Sequence, residues 1–508
     1  VTVGQWLPTA LAAHAPVLLV AVPLILSTPA AILRTGRAGW AIALSGALLA
    51  LLCAVELFLA TRADGAVISY ALGGWPPPFG IEFRVDGLNA ALLLLLTGAA
   101  VLALIFARPS VENEINADKR SLFYSAFLVS LSGLAGVAIT GDAFNLFVFL
   151  EISSIPTYAL IAMGANRDRR ALTSAFNYLV MGAIGATFFV IGVGFLYMAT
   201  GTLNMADLAR LLVDMDGDRV VRMGFAFILV GLGLKAALFP LHLWLPGAYA
   251  YAPSFVTVFL ATTATKVAFY VIIRFSFDVF AIDSGFVVNA LTYVVTPLAI
   301  AGMIVASAQA LFQTDVRRLL AYSSVAQAGY MMLGLGMGSQ AGVSAGVLHL
   351  INHALMKGVL FMALGAFAIS YGVRRIENCK GLGMMMPMTA SAFTLGALSL
   401  IGVPFTVGFI SKFYLIQAAL AQGWIFAVAA ILISSVLAVF YCYRILVNLW
   451  VTPIPEGRRD LAQPTPYLIL VPLVGLALAN LVFGVHAAPL VDIAETAAAA
   501  AINAGTGS

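Results

Sequence analysis

The chain has 508 residues, of which 62% are hydrophobic and only 9% charged, with 26 Lys and Arg against 22 Asp and Glu and a mean hydropathy of +1.03. Such a composition does not fit a soluble enzyme, and no single loop gathers enough charge to bind nucleic acid; it points to an all-α polytopic membrane protein. Cys53, Cys379 and Cys442 form no CxxC or Cys/His cluster, so neither a disulfide framework nor a metal site is implied.

A span needs about 20 apolar residues to cross the hydrocarbon core. Read in chain order, the sequence predicts fourteen spans, near 14–33, 38–60, 86–107, 121–140, 143–164, 171–200, 222–245, 253–275, 287–312, 317–337, 341–371, 386–420, 424–450 and 466–488. No Lys or Arg precedes the first run, and Arg34 and Arg37 follow it, the reverse of a cleavable signal peptide. The first helix is therefore expected to stay, with its N-terminus outside.

Lys and Arg favour cytoplasmic loops. In that orientation sixteen basic residues fall inside, among them Arg34, Arg37, Arg458 and Arg459, and six outside, at Arg62, Arg84, Arg210, Arg219, Arg222 and Arg274. The expected location is the inner membrane of a prokaryote, with both termini outside.

Four basic residues remain within predicted spans, and all are lysines: Lys235, Lys266, Lys357 and Lys412. Arginine stays charged in a protein, whereas a desolvated lysine can give up its proton. The pattern therefore fits titration better than fixed charge. The plain alternative is that the lysines snorkel to the interface; Lys357 is the strongest case for it, and the other three sit too deep in their runs. A buried cation needs a partner, and Glu151 in "GDAFNLFVFLEISSIPTYALIAMG" is the one carboxylate well inside a span by this reading. Paired with Lys235, it would form a switch.

His349, His353 and Lys357 recur every four residues in "HLINHALMKGVLFMALG" and so form one helical stripe. Such a stripe could pass protons, because histidine titrates near neutrality. A zinc site is disfavoured, since Leu350 stands where a zincin would carry glutamate. A structural role for His353 remains open, and His242 reads equally as a core histidine.

Proline within a span breaks its helix. Pro240 follows Lys235, and Pro404 with Gly402 precedes Lys412, in the seventh and twelfth spans. Five spans of separation reverse direction across the membrane, so inverted repeats are expected over 118–275 and 287–451, each with a proline-broken helix and a buried lysine.

The stretches "GDAFNLFVFLEI", "GLKAALFPLHLWLPGAYAYAPS", "ATKVAFYVIIR", "TDVRRLLAYSSVAQAGYMMLG" and "HLINHALMKGVLFMALG" resemble the antiporter-like subunits shared by Mrp cation/proton antiporters, respiratory complex I and membrane-bound hydrogenases. "YALGGWPPPFGIEFRVDGLNA" and "YMATGTLNMADLA" look most like the Mrp D subunit. The resemblance implies a proton pathway through Glu151, Lys235, Lys266, His349, His353 and Lys412, with Lys357 less firmly placed. It implies no cofactor. As partners it implies a larger A-type antiporter-like subunit and small membrane subunits, and as cargo protons and sodium or potassium. Lys412 argues against the complex I branch that carries glutamate there. The alternative is the proton-pumping subunit of a redox complex, whose redox chemistry would lie in other subunits, because this chain has no flavin fingerprint or Fe–S cysteine spacing. A scaffold without transport is disfavoured by the cost of four intramembrane lysines.

Overall fold

The computed structural model describes residues 8–33, 35–65, 67–215, 217–280, 284–456 and 465–505. Arg34, Arg458 and Arg459, counted above with the inside loops, lie outside the described residues. The chain forms a bundle of long antiparallel helices. The first six are α1 (Ala15–Ile32), α2 (Gly36–Asp64), α3 (Gly87–Glu114), α4 (Arg120–Ile139), α5 (Ala143–Ala162) and α6 (Arg170–Thr200). A short α7 (Met205–Leu212) leads to α8 (Arg219–Lys235), α9 (Trp244–Tyr251), α10 (Ser254–Thr262) and α11 (Ala264–Ile273). There follow α12 (Gly285–Leu311), α13 (Val316–Gly336), α14 (Gln340–Tyr371), α15 (Pro387–Ile401), α16 (Val407–Ala421), α17 (Ile425–Trp450), α18 (Tyr467–Val485) and α19 (Ala488–Gly505).

Among the described residues eleven helical stretches are long and apolar enough to cross a membrane. The other three expected spans are α8 with α9, α15 with α16, and the more polar α13. The first two are divided by their breaks into segments too short to span alone. Loop residues define the helix starts: the side chains of Asp86, Asp142, Asp218 and Asp315 accept backbone N–H bonds at the starts of α3, α5, α8 and α13. Where α6 meets α8, Gly192 and Gly224 stand face to face, and a Cβ on Gly192 would lie 2.6 Å from the Gly224 carbonyl oxygen. Small residues are what let two membrane helices approach this closely.

Two elements were not expected. A hairpin of β1 (Ile68–Ala71) and β2 (Glu82–Val85) lies at the end of the bundle where α2 finishes, with Ile68 opposite Val85. It holds that end together, because Glu82 accepts hydrogen bonds from Ser69 and from Asn204 at 2.7 Å. The second is α19, which packs on α3 and α14 at the same end, with Asp492 ion-paired to Arg62. The opposite end carries Arg108, Arg120, Arg167, Arg317, Arg374 and Arg444.

Arg274 departs from its expected loop position. It is buried within the apolar stretch Ser254–Val279, where its guanidinium bonds Asp86 and Asp278, each at 2.6 Å. Buried bases in the spans are therefore not all lysines, and Glu151 is not the one intramembrane carboxylate. Arg274 is satisfied by two acids, whereas the lysines are held by neutral oxygens.

Candidate functional site

Three of the four lysines, Lys235, Lys266 and Lys412, lie beside helix breaks. After Lys235 the chain leaves the helix: Leu238 N–H turns back to the Gly233 carbonyl at 2.8 Å, Ala237 adopts a left-handed φ of 56°, and Pro240 has no N–H to continue the ladder. The Trp244 indole bridges the gap to the Leu234 carbonyl at 2.9 Å. Lys235 thus sits at the C-terminal end of α8, where the free carbonyls favour a cation. Its Nζ donates to the Ser154 hydroxyl at 2.6 Å.

Glu151, one turn earlier on α5, makes no ion pair within 4.0 Å among the described residues, and its Oε1 is buried without a hydrogen bond. Its charge acts on Lys235 through space. The expected contact pair is therefore a pair at a distance, with Ser154 as the direct partner.

Lys266 lies at a break that no proline announces. Thr263 leaves helical geometry at φ −125° and ψ −61°, and Lys266, fully buried, donates to the Ala261 carbonyl freed at the end of α10. Lys357 is also fully buried, donating to the Leu320 carbonyl at 2.9 Å and to the Ser323 hydroxyl. The snorkelling alternative fails for it.

Lys412 reaches back across the second proline break to the last carbonyls of α15, Leu400 at 3.1 Å and Ile401 at 2.9 Å, and to the Ser435 hydroxyl at 3.0 Å. Gly402, at φ 93°, turns the chain there. The two proline breaks are not used alike: Lys235 precedes its break, and Lys412 follows its own.

Between these lysines runs α14. The His349 and His353 rings stack at 6.3 Å, His349 Nδ1 meets the Ser411 hydroxyl at 2.9 Å, and the Tyr330 ring stacks on His349 at 5.2 Å with the Lys412 ammonium 5.1 Å from its centroid. Lys266 and Lys357 are both close enough to act electrostatically on His353, and Lys412 and Lys266 on His349. The remaining nitrogen of His349 and both of His353 are buried without a protein partner. No direct hydrogen bond joins Lys235 to Lys266 among the described residues. No group of three or more His, Cys, Asp or Glu that could hold a metal occurs among them either. His242 is buried, stacking on Phe239 at 5.3 Å and meeting the Tyr322 ring edge-on at 6.4 Å.

The arginine-rich end opens into a cleft of about 150 Å³ lined by Glu114, Arg167, Asp168, Tyr251, Arg317 and Arg374. Hydrogen bonds from Arg170 and then Arg374 hold the Asp168 carboxyl well below its usual range. Ser254 donates to Glu114 at the cleft floor. Deeper in, Thr257 donates to the Tyr249 carbonyl at 2.9 Å, and the Tyr249 hydroxyl to the Leu260 carbonyl at 3.1 Å, one residue from the Lys266 acceptor. Ser154, Ser323, Ser411, Ser435 and Tyr330 could not be picked out from the sequence, since isolated hydroxyls in membrane helices carry no distinguishing pattern.

Broken helices, buried lysines and a histidine pair at the centre of a membrane bundle define an antiporter-like membrane subunit. Residues 140–438 match the family model described as NADH:quinone oxidoreductase/Mrp antiporter, transmembrane, and the chain belongs to that family. It is 40% identical over 486 residues to the N subunit of the NADH-quinone oxidoreductase of Desulforudis audaxviator, covering 93% of this chain and 96% of that one. It is 31% identical over 410 residues to the D subunit of the Na(+)/H(+) antiporter of Bacillus subtilis, covering 79% and 81%. Among solved structures it resembles a chain of the archaeal membrane-bound sulfane sulfur reductase, with a TM-score of 0.88, 34% identity and coverage of 97% and 98%. It also resembles a chain of the Mrp complex from a Dietzia species, with a TM-score of 0.86, 27% identity and the same coverage.

Proposed function

We propose that this chain moves protons across the membrane along its buried axis, within a multisubunit Na+(K+)/H+ antiporter. Protons move inward to drive sodium or potassium outward, passing between Lys412 and Lys266 through the His349 and His353 rings, with bound water completing the steps between donors. Tyr249 and Thr257 connect Lys266 to the arginine-rich, cytoplasmic end. Lys235 joins this path, and Glu151 sets its charge through space. The repeats 118–275 and 287–451 each supply one proline-broken helix to the path.

One observation carries this reading: four buried lysines each donate to neutral oxygens, and three of them, Lys266, Lys357 and Lys412, lie within electrostatic reach of two buried histidines with free ring nitrogens. A fixed structural cation is normally matched by an acid, as Arg274 is here. Lysines held by hydroxyls and carbonyls can lose a proton without leaving a carboxylate unpaired.

A second reading has its own support. The 40% identity to an NADH-quinone oxidoreductase subunit favours the same proton path within a redox-driven complex. The two are separated by purifying the tagged chain from its native membrane in mild detergent, and by adding sodium to vesicles that carry the complex. An A-type antiporter-like subunit, small membrane subunits and sodium-driven proton movement support the antiporter. Co-purified Fe–S or flavin subunits, with no response to sodium or potassium, would transfer the path to a redox pump.

A further inference from the structure

The second half of the bundle has a cleft that the proton path does not use. It occupies about 340 Å³ at the arginine-rich end and is lined by Thr314, Arg375, Glu377, Tyr443, Arg444 and Asn448. Its walls come from the segments following α12 and α14 and from the last turns of α17, so it lies where helices leave the hydrocarbon core. Tyr443 and Trp450, 63% and 38% exposed, mark that depth in the way interfacial aromatics do.

Two features define what the cleft can hold. The first is charge. Arg444 donates one guanidinium nitrogen to the Leu311 carbonyl, which fixes the side chain at the wall, while the Arg375 side chain is exposed. Against these two cations stands the single carboxylate of Glu377, leaving one unit of positive charge. A phosphodiester carries one negative charge and accepts well from arginine.

The second feature is an apolar track that runs from the cleft toward the middle of the membrane. Ile433, Val436, Phe440 and Tyr443 recur every three or four residues on α17 and are 49%, 54%, 54% and 63% exposed. A polar head site at interface depth, continuous with an apolar track, matches an amphiphile with one head group and long chains. Basic pockets between membrane helices are where lipid head groups bind.

We propose that this cleft is a binding site for one anionic glycerophospholipid. The phosphodiester lies between Arg375 and Arg444, an acyl chain follows Phe440, Val436 and Ile433, and Glu377 accepts a hydrogen bond from a hydroxyl of the head group. A choline head group cannot make that last bond, because its ammonium carries no N–H. The site is independent of the proton path.

The test uses the intact complex in mild detergent. Dioleoylphosphatidylglycerol, dioleoylphosphatidylcholine or inorganic phosphate is added during thermal unfolding of the wild type and of Arg375→Gln, whose exposed side chain is not needed for folding. Phosphatidylglycerol is expected to raise the wild-type midpoint by a few degrees and the Arg375→Gln midpoint by less than half as much; the other two additions should do neither. Native mass spectrometry should find one fewer bound phosphatidylglycerol in Arg375→Gln. Equal shifts in both proteins overturn the proposal, as does the absence of any shift with phosphatidylglycerol. An equal response to inorganic phosphate, which would indicate a free-anion site, overturns it too. Arg444→Gln gives a second reading, its baseline measured separately because it also loses the Leu311 bond.

Discussion

Lys266 illustrates what a single residue contributes here. Fully buried, with its ammonium on a backbone carbonyl, it occupies a position that would hold a permanent charge at high cost but can hold a titrating one. Lys266→Arg keeps the charge and removes the titration, so it should abolish proton flux as completely as Lys266→Met. Flux above half the wild-type rate in the arginine variant would mean that static charge suffices. Ser154→Ala takes away the hydroxyl that Lys235 donates to, at a cost of about 1–3 kcal/mol, and is expected to slow flux without abolishing it. Glu151→Gln should alter the pH profile of flux, and an unchanged profile would remove Glu151 from its tuning role. Arg274→Met leaves Asp86 and Asp278 buried and unpaired, at a cost of about 3–5 kcal/mol. The chain should then fail to accumulate in the membrane, and normal abundance by immunoblot would contradict the account. Charged residues in apolar runs were legible in the sequence because they are so rare there. Arg274 was misread because it stands at the end of its run, where sequence cannot separate an interfacial residue from a buried one.

At the scale of elements, the breaks free the carbonyls that hold Lys266 and Lys412, whereas Lys235 and Lys357 donate to unbroken neighbouring helices. Gly402 shows how tightly one break is built: its φ is 93°, and a Cβ there would lie 3.0 Å from Lys412 Cδ. Gly402→Ala should cost about 1–2 kcal/mol through backbone strain and lower flux by displacing Lys412. Wild-type thermal stability and flux in that variant would mean the turn is not constrained. Both proline breaks could be read from Pro240 and Pro404, because proline's missing N–H acts locally. The break at Thr263 could not, since the run "ATTATK" has neither proline nor glycine; there the Thr262 and Thr263 hydroxyls donate back to the Val258 and Phe259 carbonyls, bonds that bend a helix. The hairpin and α19 were missed for a different reason: each is stabilised by contacts with distant helices, through Glu82 with Asn204 and Arg62 with Asp492.

At the scale of the molecule, α14 is the hub that brings both halves of the bundle to one axis, with a cluster of arginines at one end. Asp168 helps clip that end, joining the start of α6 to the segment after α14 through Arg170 and Arg374. Its folded carboxyl titrates lower than it would in the unfolded chain. The clip therefore stabilises above the unfolded carboxylate value of about 4 and is lost as pH falls below it. Asp168→Asn should lower the unfolding midpoint by a few degrees at pH 7, and the gap should close as the pH falls below about 4. A gap that persists undiminished in acid would assign it to packing instead. Hydropathy made the bundle legible and the resemblance of particular stretches made the family so, yet the order of donors along the axis depends on three-dimensional contacts such as those of Tyr330 with His349 and Lys412. The most direct test of the axis is proton movement in sealed vesicles carrying the assembled complex, compared between wild type, Lys235→Ala and Lys412→Ala at equal complex content. The account predicts that neither variant builds a pH gradient under the driving force that serves the wild type. A gradient at half the wild-type rate or more, in either variant, would contradict it.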